Sequence, residues 1–184
     1  MNDDIWTDHR DLLSEHLGTD ALSPLLDRAT LVELAGGETL LRDQAPTDSM
    51  YLVLQGRLEV HVELGRHTIR LGGIEPGNWV GEVAYYTRCG MACSTVTALE
   101  RSVLLRLRFD DYTDLVGSQA EVACRLSHVL IALLGQRLRA TVNDPVLDPD
   151  GRLLMLGDFS MPLDQQPHHH SGLLTFFRNL IGAR

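Results

Sequence analysis

Between Ala29 and Phe109 the apolar residues come in short runs that alternate every second position, and glycines separate the runs. Successive side chains of a strand point to opposite faces, so a period of two marks strands covered on one face. The runs are Thr30–Leu34, Met50–Leu54, Arg57–Leu64, His67–Leu71, Ser94–Leu99 and Val103–Leu107, with glycines at 36, 37, 56, 65, 72, 73 and 77 between them. Many short antiparallel strands at this spacing predict a sandwich or barrel, here a mainly β domain built as an antiparallel, jelly-roll-like β-roll (a double-stranded β-helix).

Helical patterns flank this region. Leu12, Leu13, His16 and Leu17, then Leu22, Leu25 and Leu26, fall at helical spacing over residues 8–28, with Ser23 as a cap and Pro24 in the first turn of the second helix. After the strands, Asp110 caps a short segment reaching Val116, and Gly117-Ser118 opens a long helix from Gln119 to Asn143. On that helix Val122, Leu126, Val129, Leu130, Leu133, Leu134 and Leu138 form a wide apolar stripe. The stripe needs cover: it either folds back on the barrel or pairs with the same helix of a second chain. Residues 144–170 hold four of the seven prolines and read as a linker. Residues 171–184 regain helical periodicity, with Leu173, Phe176, Phe177, Leu180 and Ile181 on one face. The organisation predicted is a domain over 1–143, a linker over 144–170 and a short amphipathic helix over 171–184.

Composition narrows the partners. The 184 residues are 44% hydrophobic, enough for one ordinary domain and an appendage, and the net charge is −9. That acidity argues against a nucleic-acid surface, which carries a clustered excess of Lys and Arg. The acidic, polar start MNDDIWTDHRD is unlike a signal peptide, and no run of about 18 apolar residues suggests a membrane span. The cytoplasm is the expected location. Cys89, Cys93 and Cys124 form no paired framework and read as free, reduced thiols, with redox sensing by the Cys89/Cys93 pair as the alternative.

Three blocks in order carry a family resemblance. Gly37-Glu38-Thr39-Leu40 comes first, and Leu41-Arg42-Asp43 through Asp48-Ser49-Met50-Tyr51-Leu52-Val53-Leu54-Gln55-Gly56 follows. The third is Pro76-Gly77-Asn78-Trp79-Val80-Gly81-Glu82, leading to Thr95-Val96. Residues 20–140 thereby resemble the cyclic-nucleotide-binding domain, the sensor of catabolite-activator-type proteins, cyclic-nucleotide-dependent kinases and gated channels. The resemblance implies a phosphate-binding cassette made of Gly81, Glu82, Val83, Ala84, Ala92, Cys93, Ser94 and Thr95. In the family an arginine grips the cyclic phosphate, the glutamate holds the ribose 2′-hydroxyl, and amides of a short helix complete the cradle.

There are departures. Gln44 stands where the family has a turn glycine, and Trp79 replaces Phe or Tyr. Ten residues past Glu82, where the family has its arginine, the chain has Ala92. A charge-assisted bond of that kind contributes roughly 1.5–3 kcal/mol, so its loss weakens binding by about ten- to a hundredfold or more. The substitute considered is Arg88, in the loop after the cassette helix, which reads first as a solvated side chain because arginine prefers the surface. Glu82 reads two ways, as ligand contact or as a carboxylate bonded to nearby backbone.

The resemblance thus implies a non-enzymatic regulatory module with a degenerate cassette, no cofactor, and cAMP a doubtful ligand. It would be a homodimer through 119–143 acting on a protein partner. The alternative is a true receptor for a cyclic nucleotide or cyclic dinucleotide with a divergent pocket. A truncated transcription regulator is the weakest reading, because the family's DNA-binding part takes roughly 60–70 residues and only 41 follow Asn143. His61, Glu63 and His67 invite a metal reading on a cupin-like barrel but lack the cupin order, and His168-His169-His170 reads as a flexible tract. No catalytic Ser/His/Asp, Walker or dinucleotide motif is present, so no enzyme is expected. The amphipathic tail, with Arg178 and Arg184, is expected to dock on protein rather than insert stably in a membrane.

Overall fold

The computed structural model describes residues 19–64 and 67–143. The expected helical residues before Thr19, the linker, the histidine tract and the amphipathic tail lie outside them. Helix α1 (Thr19–Leu26) leads into eight strands: β1 (Thr30–Leu34), β2 (Thr39–Leu41), β3 (Ser49–Gln55), β4 (Leu58–Leu64), β5 (His67–Ile74), β6 (Trp79–Val80), β7 (Thr95–Ala98) and β8 (Ser102–Arg108). A short helix α2 (Glu82–Tyr86) interrupts them before β7, and α3 (Phe109–Ser118) and α4 (Ala120–Asn143) follow β8. All pairings are antiparallel, giving two four-stranded sheets in the orders β1-β8-β3-β6 and β2-β7-β4-β5. This is the β-roll expected, with helices at its flanks.

Alternation along β3 divides the core. Tyr51 and Val53 join Leu34, Leu41, Leu58, Val80, Ala92, Val96 and Leu104 in a cluster between the sheets. Met50, Leu52 and Leu54 point the other way, joining Trp79, Leu105 and Leu107 against Leu25, Tyr112, Leu115, Ala123, Leu126 and Leu130 of the helices. The first sheet is therefore covered on both faces, which explains why Ser49–Leu54 is buried throughout. The stripe of α4 folds back on the roll, the first of the two covers the sequence allowed: Leu126, Leu130 and Leu134 are buried, with Val122, Val129 and Leu133 packed beside them.

Local differences have local causes. Two strands, β2 and β6, are too short to carry any period. Pro24 lies inside α1 rather than in a first turn, so Ser23 is not its cap. Arg108 occupies the cap position of α3 without a side-chain bond, and Asp110 falls in its first turn. Gly117-Ser118 end α3 rather than open α4. The break comes at Gln119, whose dihedrals of −142° and 61° leave the helical region. Gln44 has a φ of 59°, the left-handed conformation that favours glycine.

Candidate functional site

Gly81 makes the turn from β6 into α2. Its φ is 85°, and a Cβ added there would lie 2.8 Å from the Ser49 carbonyl oxygen, so no larger residue fits without movement. That turn drops Glu82 into the interior, where its side chain is 0% exposed. A carboxylate cannot be buried unpartnered without a large cost. Its partner is Arg137 of α4, whose Nη1 donates to Glu82 Oε1 at 2.7 Å. Arg137 Nη2 donates to the Trp79 carbonyl, so one guanidinium ties both ends of the β6–α2 turn to the long helix. Burial pushes the Glu82 pKa up, opposed by the Arg137 charge, its own backbone and the Arg137 hydrogen bond. The net direction is upward, because full burial outweighs a partner that is itself 31% exposed. Glu82 Oε2 is buried without a hydrogen-bond partner, as is Trp79 Nε1.

A second set of contacts joins α2 to the helices. Tyr85 packs its ring at 5.0 Å from Tyr112 and 5.4 Å from Phe109, between centroids. The hydroxyls of Tyr86 and Tyr112 lie 3.1 Å apart, and that of Tyr112 lies 2.6 Å from Ser127 Oγ on α4. Burial, first, and the Tyr112 hydrogen bond raise the Tyr86 pKa, so its hydroxyl keeps its proton at ordinary pH. The cassette helix is thus connected to α4 twice, once by an ion pair and once by hydroxyls.

Residues 31–119 match the family model of the cyclic nucleotide-binding domain. The chain carries a domain of the cyclic nucleotide-binding family. A cyclic nucleotide-binding domain from Methylobacillus flagellatus superposes with a TM-score of 0.68 at 16% identity, covering 77% of this chain and 82% of that one. The c-di-GMP-responsive global regulator CLP of Xanthomonas campestris gives 0.64 at 17%, covering 67% and 61%. At these identities the likeness shows the fold. The Pycsar effector protein PaPycTIR of Pseudomonas aeruginosa is 28% identical over 128 residues, 70% of this chain and 39% of that protein. The chain spans between 20% and 39% of the lengths of the curated relatives it matches.

Within this cyclic nucleotide-binding domain the cassette residues come together around β6, α2 and β7. Val83 and Ala84 are buried with Glu82 on α2. Ala92 is 4% exposed and faces the apolar cluster between the sheets, where its amide donates to the Ala45 carbonyl at 2.9 Å. Thr95 Oγ1 accepts from the Asp43 amide at 3.1 Å, binding the cassette strand to the β2–β3 connection. Cys93 and Ser94 are half-buried. Burial and the nearby Glu82 carboxylate push the Cys93 thiol up to about 11, which leaves it protonated and poorly suited to thiolate redox chemistry. Arg88 is exposed in a left-handed turn.

Arg137 was not found by sequence reasoning. The signal was available: it continues the line of Leu126, Leu130 and Leu134, where a charge on a buried face calls for a buried counter-charge. His61, Glu63 and His67 do not converge. Glu63 pairs with Thr68 and Leu64 with His67, so His67 lies on the opposite sheet face from Glu63. Among the described residues no three His, Cys, Asp or Glu are placed to hold a metal, and no helix is long and apolar enough to cross a membrane.

Proposed function

We propose that this chain is a regulatory module of the cyclic nucleotide-binding type with a degenerate cassette. It is not an enzyme, and it acts as a homodimer through α4 on a protein partner. The observation that carries the proposal is the ion pair between Glu82 and Arg137. The carboxylate that in the family takes the ribose hydroxyl here has one oxygen engaged by the output helix. The position of the phosphate-gripping arginine is an alanine in an apolar cluster. Signal and output are therefore in contact at one residue pair. Anything that competes for Glu82 releases one tie on α4, and anything that moves α4 is felt at the cassette. Family membership supports the regulatory role, and a net charge of −9 supports a protein rather than a DNA partner.

A second reading has its own observation. Glu82 Oε2 is a buried acceptor with no hydrogen-bond partner, and the partly exposed Arg137 guanidinium stands beside it. Together they offer a hydroxyl acceptor and a cation that a larger or differently oriented cyclic nucleotide would use. Isothermal titration of the full chain with cAMP, cGMP and cyclic dinucleotides separates the readings. The degenerate module gives no heat from cAMP at low micromolar concentration. A divergent receptor gives saturable heat from one of the others, and Arg137→Ala abolishes it.

A further inference from the structure

The face of α4 turned away from the roll carries a second, unrelated pattern. Cys124, His128, Ile131 and Gly135 recur at steps of four, three and four residues, the spacing of a coiled-coil seam. Cys124 and His128 are exposed, and Ile131 is 57% exposed, the most exposed large apolar side chain among the described residues. Gly135 interrupts the helix at a cost of about 1 kcal/mol relative to alanine. Its own chain does not require it, since a Cβ there would meet no atom within 4 Å. A glycine whose side is open, in line with an exposed isoleucine, leaves room for the close approach of another helix.

At the head of this seam Cys124 Sγ and His128 Nε2 lie 3.9 Å apart, one helical turn from each other. Two ligands on one tetrahedral zinc, with Zn–S of about 2.3 Å and Zn–N of about 2.0–2.1 Å, stand roughly 3.5 Å apart. The pair is thus within a small rotamer adjustment of a chelating geometry. It supplies two of the four ligands a closed site needs, and a two-fold axis along the seam supplies the same two again.

We propose that Cys124 and His128 are half of an interchain metal site for a zinc-class divalent cation, completed as Cys2His2 by a second copy of this chain in parallel register. The inference rests on the α4 homodimer proposed above. It adds a ligand that locks the dimer and, through Arg137 further along the same helix, stiffens the element that holds Glu82. Binding releases the thiol protons as the thiolates coordinate, so affinity rises with pH.

The test is cobalt(II) titration of the metal-free, reduced full chain, followed by absorption, with sedimentation before and after loading. Expected are tetrahedral ligand-field bands and a thiolate charge-transfer band saturating at one cobalt per two chains. Cys124→Ser should abolish the charge-transfer band and His128→Ala should weaken binding at least tenfold, while replacing His168, His169 and His170 with alanine should change neither. A dimer without these bands overturns the metal site and leaves the dimer standing. A monomer that binds no cobalt overturns both. Bands that survive Cys124→Ser, or that vanish with the histidine tract, place the metal elsewhere and also overturn it.

Discussion

The Glu82–Arg137 pair couples a fully buried carboxylate to a guanidinium one-third exposed, and the asymmetry decides what each substitution does. Arg137→Ala strands a charge in the interior and should cost about 3 kcal/mol in urea unfolding, the low end for a broken buried pair because water can reach the site. Glu82→Gln removes the charge with little change of shape and should cost less. The pH dependence follows from the raised pKa of Glu82. The folded state holds the proton to higher pH than the unfolded chain, so the favourable difference is complete below the ordinary value of 4.5 and is lost as pH rises through the folded value. Wild type should therefore lose stability relative to Glu82→Gln as pH is raised from 4.5, and the opposite trend would show that Arg137 outweighs burial. At Gln44 a left-handed backbone costs roughly 1–2 kcal/mol for a residue with a Cβ, against the roughly 0.5–1 kcal/mol of extra chain entropy glycine loses. Gln44→Gly should raise stability by about 0.5–1 kcal/mol in the same assay.

At the scale of elements, α2, α3 and α4 behave as one unit because Tyr85, Tyr86, Tyr112 and Ser127 join them. Tyr112→Phe keeps the packing and deletes the central hydroxyl. It should cost about 1–2 kcal/mol and speed amide exchange in α2, since Tyr86 and Ser127 then lose a partner. Leu130→Ala, under the same helix, should cost about 2–5 kcal/mol by leaving a cavity. Several elements were legible in the sequence: β4 by alternation, β3 and β8 as short apolar runs, and α4 by its stripe. The strands β2 and β6 were not, because three and two residues define no period and their strand character comes from the partners β7 and β3. The α3–α4 boundary was misplaced because glycine and serine read equally well as a helix start and a helix end.

For the whole molecule, the ordered blocks of the sequence were enough to anticipate the β-roll and the turn that carries Glu82, since motifs fix which turns, strands and short helix come together. They gave no access to what α4 brings to it, because a contact between residues 55 apart depends on how the helix folds back. The picture we propose is a sensor module whose cassette touches its own output helix through Glu82 and Arg137 and carries alanine at position 92. The direct measurement is isothermal titration of cAMP into wild type and Ala92→Arg. The account predicts no low-micromolar binding by wild type and an affinity ten- to a hundredfold higher in the variant, the worth of one charge-assisted bond. Low-micromolar binding by wild type, unchanged by the substitution, would contradict it.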